Sequence, residues 1–241
     1  MGPTGSGWRH ADLGKLNSSP TTGSMDMTVL IDSHDLMLAT LHRRAFSGKD
    51  WLFEWKFDGF RCLVEKECER VELVSRQGKP LNRSFPEVVA AVAALPGDFV
   101  WDSELAVGAA RGQEAFDLLQ QRAKTISPKS VPAAVRRCPA RIFVFDMLAS
   151  GGVDLRRKSL IERKEMLRDA FDDTSTLVYV TDVDEVGELV FEQVQIHDFE
   201  GMVAKRKAST YERGRSRAWL KVKNPSYSRP AALGFGAGRR G

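Results

Sequence analysis

The apolar residues of this chain come in short runs cut by turn signals, and that rhythm is the strongest constraint on its fold. Residues 51–57 and 60–66 are two such runs, rich in aromatic residues and separated by Asp58-Gly59. Asp-Gly between two strand-like runs predicts a hairpin, because glycine accepts the positive φ that a tight turn demands. Residues 71–75 read as a third strand, 99–107 and 141–148 as further strands, and 200–206 and 218–223 as the last two. Residues 36–45 form a short, partly apolar approach segment.

Helical periodicity marks 85–95, with Pro86 near its start and Pro96-Gly97 as a stop, and also 114–124, 160–171 and 184–197. The Pro/Ser/Lys-rich stretch 126–140 reads as loop, and Lys79-Pro80-Leu81-Asn82 and Gly151-Gly152 as turns. Strands dominate and the helices fall between them irregularly. This predicts an α+β fold with largely antiparallel sheets rather than a βαβ repeat. No P-loop is present, so that usual phosphate cradle is excluded.

Of the 241 residues, 42% are hydrophobic, enough for a proper core, and the formal charge is +4. The charge is uneven. From Gly201 to Gly241 there are eleven Lys/Arg against one acid, Glu212. Such a run is commonly a solvated face, but here it overlaps motif-like segments and suits nucleic acid. The three cysteines, Cys62, Cys68 and Cys138, lack C-x-x-C spacing and argue for a reducing compartment, with cytoplasmic localisation expected. No apolar run approaches the roughly 20 residues needed to span a bilayer. Residues 1–27, rich in Gly, Ser, Thr and Pro, read as a flexible leader. Residues 28–224 read as the folded domain, and 225–241 as a basic Gly/Arg-rich tail or truncated linker.

The chemistry concentrates in Lys56-Phe57-Asp58-Gly59-Phe60-Arg61. The hexapeptide brings together an amine, a carboxylate, a permissive glycine and a guanidinium beside an apolar strand. That set suits a lysine that attacks a nucleotide phosphate. Burial and nearby cations can keep the amine neutral, arginine can grip phosphate or ribose, and the carboxylate can hold a hydrated metal. Taken alone, Lys56 would read as an exposed strand lysine, although its aromatic surroundings weaken that reading.

Five further segments follow in order: Ser75-Arg76-Gln77-Gly78, Trp101-Asp102-Ser103-Glu104-Leu105, Phe143-Val144-Phe145-Asp146-Met147-Leu148, Glu200-Gly201-Met202-Val203-Ala204-Lys205, and Trp219-Leu220-Lys221-Val222-Lys223. With the hexapeptide they resemble motifs I, Ia, III, IIIa, IV and V of the nucleotidyltransferase superfamily. That superfamily contains ATP-dependent DNA ligases, RNA ligases and mRNA capping enzymes. The third motif departs from its usual D-G-E at Ser103. The sequence is most similar to bacterial ATP-dependent DNA ligases of the end-joining and repair type, in their adenylation domain.

The resemblance implies an ATP-grasp-like nucleotidyltransferase domain, antiparallel sheets flanked by helices, that uses ATP and Mg²⁺. It implies that Lys56 attacks the ATP α-phosphate to form lysyl-AMP, with Lys221 and Lys223 lowering its pKa and stabilising phosphate charge. Asp58 and Glu200 are the implied Mg²⁺ ligands. Glu104 would contact ribose, Arg61 and Arg76 ribose and phosphate, and Lys205 the phosphates. Phe145 would stack on adenine, with Met202 or Val203 covering its other face, and Glu54 and Trp55 would face the base mostly through backbone groups.

The implied partner is nicked or broken duplex DNA. In such ligases an OB-fold domain follows, and the eighteen residues after Lys223 cannot build one. Self-adenylation is therefore the activity expected of this segment, with an OB fold or repair proteins acting in trans. Two alternatives stay open at this point: an RNA-ligase or capping-type transferase, and a catalytically idle DNA-end-binding module.

Overall fold

The computed structural model describes residues 30–108 and 112–228. The expected leader lies outside the described residues, as does the tail beyond residue 228. In chain order the elements are β1 (Met37–Leu41), β2 (Trp51–Lys56), β3 (Phe60–Glu67), β4 (Arg70–Ser75), α1 (Pro86–Ala93), β5 (Phe99–Val107), α2 (Gly112–Lys124) and α3 (Val131–Arg137). There follow β6 (Ala140–Ser150), β7 (Val153–Asp154), α4 (Leu160–Arg168), β8 (Leu177–Tyr179), β9 (Asp182–Asp184), α5 (Gly187–Ile196), β10 (Gly201–Arg206) and β11 (Gly214–Lys223).

These strands form two sheets. One runs β1-β11-β10-β2-β9; the other runs β4-β3-β5-β6-β7, with β8 added beside β6. Pairing is antiparallel except for β1–β11 and β6–β8. The α+β, largely antiparallel expectation therefore holds. Three apolar layers follow from strand alternation. Leu63, Phe145, Leu148, Met37 and Trp219 fill the space between the sheets. Val64, Trp101, Leu105, Ile142 and Val144 face outward from the six-stranded sheet onto α1, α2 and α4 through Val88, Leu119 and Leu167. Phe53, Met202, Ala204 and Val222 face outward from the other sheet onto Val190 and Val194 of α5.

The expected hairpin at Asp58-Gly59 does not form. β2 pairs with β10 and β9, β3 pairs with β4 and β5, and the chain crosses between sheets at 57–59. Glycine is required there by close approach rather than by a turn. A Cβ on Gly59 would lie 2.3 Å from the Leu105 carbonyl oxygen. The tight β3–β4 hairpin turns instead at Cys68, whose φ is 51°. Other differences are smaller. The stretch read as loop contains α3, with a proline in its first turn. The helix expected from Asp184 starts at Gly187, because Asp184 ends β9. Helix α4 stops at Arg168 and opens on a Ser159–Glu162 capping box.

Candidate active site

Three adjacent strands make the floor of the site. In antiparallel register, side chains on one rung share a face. Lys56, Gly201 and Lys223 make one rung; Glu54, Val203 and Lys221 the next; Leu52, Lys205 and Trp219 the third. Between the sheets this face opens into a cleft of about 850 Å³. Lys56, Glu54, Val203, Lys221, Lys205 and Trp219 line it from this floor, and Arg61, Glu104 and Phe145 from the opposite sheet. Arg76, Lys79, Lys124 and Arg215 add positive charge to the lining.

Lys56 Nζ donates to Glu200 Oε2, and both side chains are part-buried. The Lys221 amine is pushed down from its ordinary value by burial, and then by the charges of Lys56, Lys223 and Arg215. Lys223 shares the rung of Lys56 but is exposed and does not line the cleft.

Asp58 and Glu200 line a smaller hollow of about 180 Å³ on the other side of Lys56, with Arg141, His197, Asp198 and Tyr227. Tyr227 donates its hydroxyl to Asp58 Oδ2 at 3.1 Å. No group of three or more His, Cys, Asp or Glu side chains converges as a metal cage among the described residues. Two carboxylates beside a cation-lined cleft nonetheless fit Mg²⁺, which keeps most of its waters and binds through one or two carboxylates plus phosphate.

Arg61 is held rigidly. Its Nε and Nη2 donate to the two oxygens of Asp102, each at 2.5 Å, and Nη2 also reaches the Met37 carbonyl at 3.0 Å. The Tyr211 hydroxyl donates to Asp102 Oδ2 at 2.5 Å and accepts from the Met37 amide at 3.0 Å. The guanidinium stands 4.7 Å from the Phe145 ring centroid. The Arg76 amide donates to the Arg61 carbonyl, which fixes the backbone beside it.

Glu104 Oε1 accepts from the Gly59 amide at 3.1 Å. Burial pushes its carboxyl up to about 7 against the opposing pull of Lys56 and Arg61, with Glu200 and Asp102 raising it further. Ser103, the departure from D-G-E, is fully buried and donates its hydroxyl to the Cys62 carbonyl at 2.6 Å. The substitution is thus satisfied within the sheet.

One expectation is corrected. Met202 is fully buried on the α5 side of its strand and does not line the cleft; its neighbour Val203 does. Alternation forces this, since successive residues of β10 face opposite ways. Lys205, expected at the phosphates, sits four β2 positions from Lys56, roughly 13 Å along the strand. Its Nζ meets Glu54 Oε2 at 2.6 Å and lies 4.4 and 4.3 Å from the Phe145 and Trp219 ring centroids. Phe145 is 9% exposed, so it both packs the core and borders the cleft. The Trp55 backbone runs along the cleft while its ring stacks on Phe199, 4.8 Å between centroids.

Sequence reasoning missed the partners that fix these groups. Lys164 of α4 bonds Glu54, Asp102 holds Arg61 and is itself bonded by Tyr211, and Asp146 is paired with Arg163 at full burial. The available signal was an acid set inside an apolar strand, as at Asp102 and Asp146. Lys164 had none, since it lies 110 positions from Glu54.

Comparison with known proteins decides the family. Residues 36–223 match the family described as ATP dependent DNA ligase domain. This chain belongs to that family. Among curated relatives of this ligase-domain chain, the bifunctional non-homologous end joining protein LigD of Bacillus subtilis is 29% identical over 206 residues, covering 78% of this chain and 34% of LigD. DNA ligase C of Mycobacterium tuberculosis is 32% identical over 183 residues, covering 73% and 50%. The chain thus spans between about a third and half of those two proteins. Among solved structures, the ligase domain of M. tuberculosis LigD superposes with a TM-score of 0.64 at 27% identity, covering 81% of this chain and 61% of that one. A mycobacterial DNA ligase D complexed with ATP and MES gives 0.63 at 26%. No helix among the described residues is long and apolar enough to cross a membrane.

Proposed function

We propose that this chain is the adenylation module of an ATP-dependent DNA ligase, and that Lys56 carries the covalent step. The observation behind this reading is the position of Lys56. It stands at the edge of a cation-lined cleft, on one sheet face with Lys221, and is bonded to Glu200. The neutral amine would attack the α-phosphorus of ATP, forming a P–N bond and breaking the bond to the departing pyrophosphate. The amine proton passes to solvent. Lys221, Arg215 and Arg76 supply positive charge where the phosphates gain negative charge. Asp58 and Glu200 would hold Mg²⁺, which neutralises phosphate charge when bound. Phe145 and Val203 would border the base, Glu54 and Trp55 its edge, and Glu104 the ribose.

Transfer of AMP to a DNA 5′-phosphate and sealing by a 3′-hydroxyl complete the proposal. The substrate would be nicked or broken duplex DNA, with an OB-fold domain or repair proteins contributing to the later steps. The three free cysteines suit the bacterial cytosol.

Intact mass after incubation with ATP and Mg²⁺ tests the first step. The protein gains one AMP, and Lys56→Ala gains none. Label entering from GTP but not from ATP would overturn the reading in favour of a capping-type transferase. No adduct from either, with DNA binding intact in Lys56→Ala, would favour an idle end-binding module.

A further inference from the structure

Behind the cleft lies a buried charge relay that none of the motif segments contains whole. Lys164 is 4% exposed and projects from α4. Its Nζ makes three polar contacts, Glu54 Oε1 at 2.6 Å, Asp182 Oδ1 at 3.0 Å and the Val180 carbonyl at 3.0 Å, and lies 4.7 Å from the Tyr179 ring centroid. Glu54 is 3% exposed, and its other oxygen takes Lys205 Nζ at 2.6 Å. Lys205 in turn reaches the Phe145 carbonyl at 3.4 Å and lies against the Phe145 and Trp219 rings.

Two lysines therefore share one carboxylate, and Asp182 supplies the second negative charge that lets both remain buried. Burial alone would lower the Lys164 amine, but Glu54 and Asp182 outweigh it and hold it above its ordinary value. Lys205 is left lowered by burial, with Glu54 raising it and Lys164 lowering it further.

We propose that Lys164 is a positioning residue for nucleotide binding, fixing Glu54 and through it Lys205 and the Phe145 platform at the end of the cleft remote from Lys56. This rests on the adenylation reading above. It assigns Lys164 no contact with ATP. Without Lys164, one Glu54 oxygen loses its donor, Asp182 faces no amine, and the carboxylate turns toward Lys205. The platform then loses its fixed edge while Lys56, Lys221 and Glu200 keep theirs. The defect belongs in nucleotide affinity rather than in the covalent step.

The test is single-turnover lysyl-AMP formation against ATP concentration, in wild type, Lys164→Met, Lys164→Arg and Asp182→Asn. Loss of a buried charge-assisted hydrogen bond corresponds to about tenfold. Lys164→Met should raise the half-saturating ATP concentration by about that factor, with the saturated rate within about twofold of wild type. Lys164→Arg, which keeps the charge, should recover part of the loss. A merely structural role would lower melting temperature and active fraction and leave the half-saturating concentration unchanged in the active fraction; that result overturns the proposal. Should Lys164→Met fail to fold, Asp182→Asn decides. It removes one of the three Lys164 anchors at a side chain 23% exposed, and an unchanged half-saturating concentration there also overturns it. Absence of adduct in wild type would instead defeat the adenylation reading, so the two failures are distinguishable.

Discussion

Replacing Gly59 with alanine tests how the two sheets are joined and how that joint serves the site. The new Cβ would lie 2.3 Å from the Leu105 carbonyl oxygen, 3.0 Å from its carbon and 3.1 Å from Glu104 Cγ. Carbon–oxygen contacts in sheets settle at about 3.3 Å or more, so the backbones must part by roughly 1 Å. Leu105 cannot yield easily, because β5 is paired on both sides, to β3 and β6. Overpacking against fixed backbone costs about 1–3 kcal/mol. For a domain of this size that is a melting-temperature loss of about 2–12 °C. The same displacement lengthens the hydrogen bond that the Gly59 N–H donates to Glu104 and shifts the start of β3, which carries Arg61. A 1 Å misplacement at a reacting centre can cost about a hundredfold in rate. Urea denaturation and single-turnover adenylation on one preparation measure both effects. Gly97→Ala is the control. Its Cβ meets nothing within 4 Å and only its φ of 74° is strained, so it should cost about 1 kcal/mol and leave adenylation alone. A Gly59→Ala protein with wild-type denaturation midpoint and rate would refute the close-approach argument.

Four other substitutions probe separate parts of the molecule. Met202→Ala should lose about 2–5 kcal/mol of stability in denaturation while ATP affinity holds, whereas Val203→Ala should weaken ATP binding several-fold at little cost to folding. Glu104→Gln should remove a pH slope. The native carboxyl, raised from 4.5 to about 7, binds more protons than the unfolded one between those values. Its contribution is therefore full below pH 4.5 and is lost as pH rises through 7, up to about 3 kcal/mol. Denaturation midpoints across pH 4.5–8 should show that fall in wild type and a flatter profile in the variant. Asp146→Ala strands Arg163, which donates to it at 2.7 and 2.9 Å with both side chains fully buried. It should cost about 3–5 kcal/mol, read as a lower midpoint with unchanged adenylation chemistry in the folded fraction.

The strands were legible in the sequence because apolar runs and breakers are local properties. Which strands pair was not. Asp58-Gly59 carries the signal of a hairpin, yet the signal reports only that the backbone can bend there. Whether β3 turns back on β2 or crosses to a second sheet depends on what covers β2. Here β10 and β9 occupy both its edges, so β3 has no edge to join. The phase of β10 was hidden for a similar reason. Met202 and Val203 alternate faces, but a six-residue strand of mixed small and apolar residues does not declare which face meets the cleft. Only its register against Glu54 and Lys221 does.

The site shows the same division between what is local and what is not. Motif reading found many of the groups that border the cleft, since each sits in a recognisable segment, though it also named Met202 and Lys223, which do not line it, and passed over Lys79, Lys124 and Arg215, which do. It could not find what sets their charge and direction. Arg61 looked like a free phosphate grip, but Asp102 and the Met37 carbonyl take three of its N–H groups, and Tyr211 holds Asp102 in turn. Lys205 is expected at the phosphates because it closes a motif that begins with Glu200. Five strand positions separate those residues, and a strand of that length carries its last side chain to the far end of the cleft. There the partners of Lys205 are Glu54 and two aromatic rings, and Lys164 reaches the same carboxylate from a helix 110 positions away in sequence. A motif lists residue types in order. The fold decides which end of the cleft each one serves.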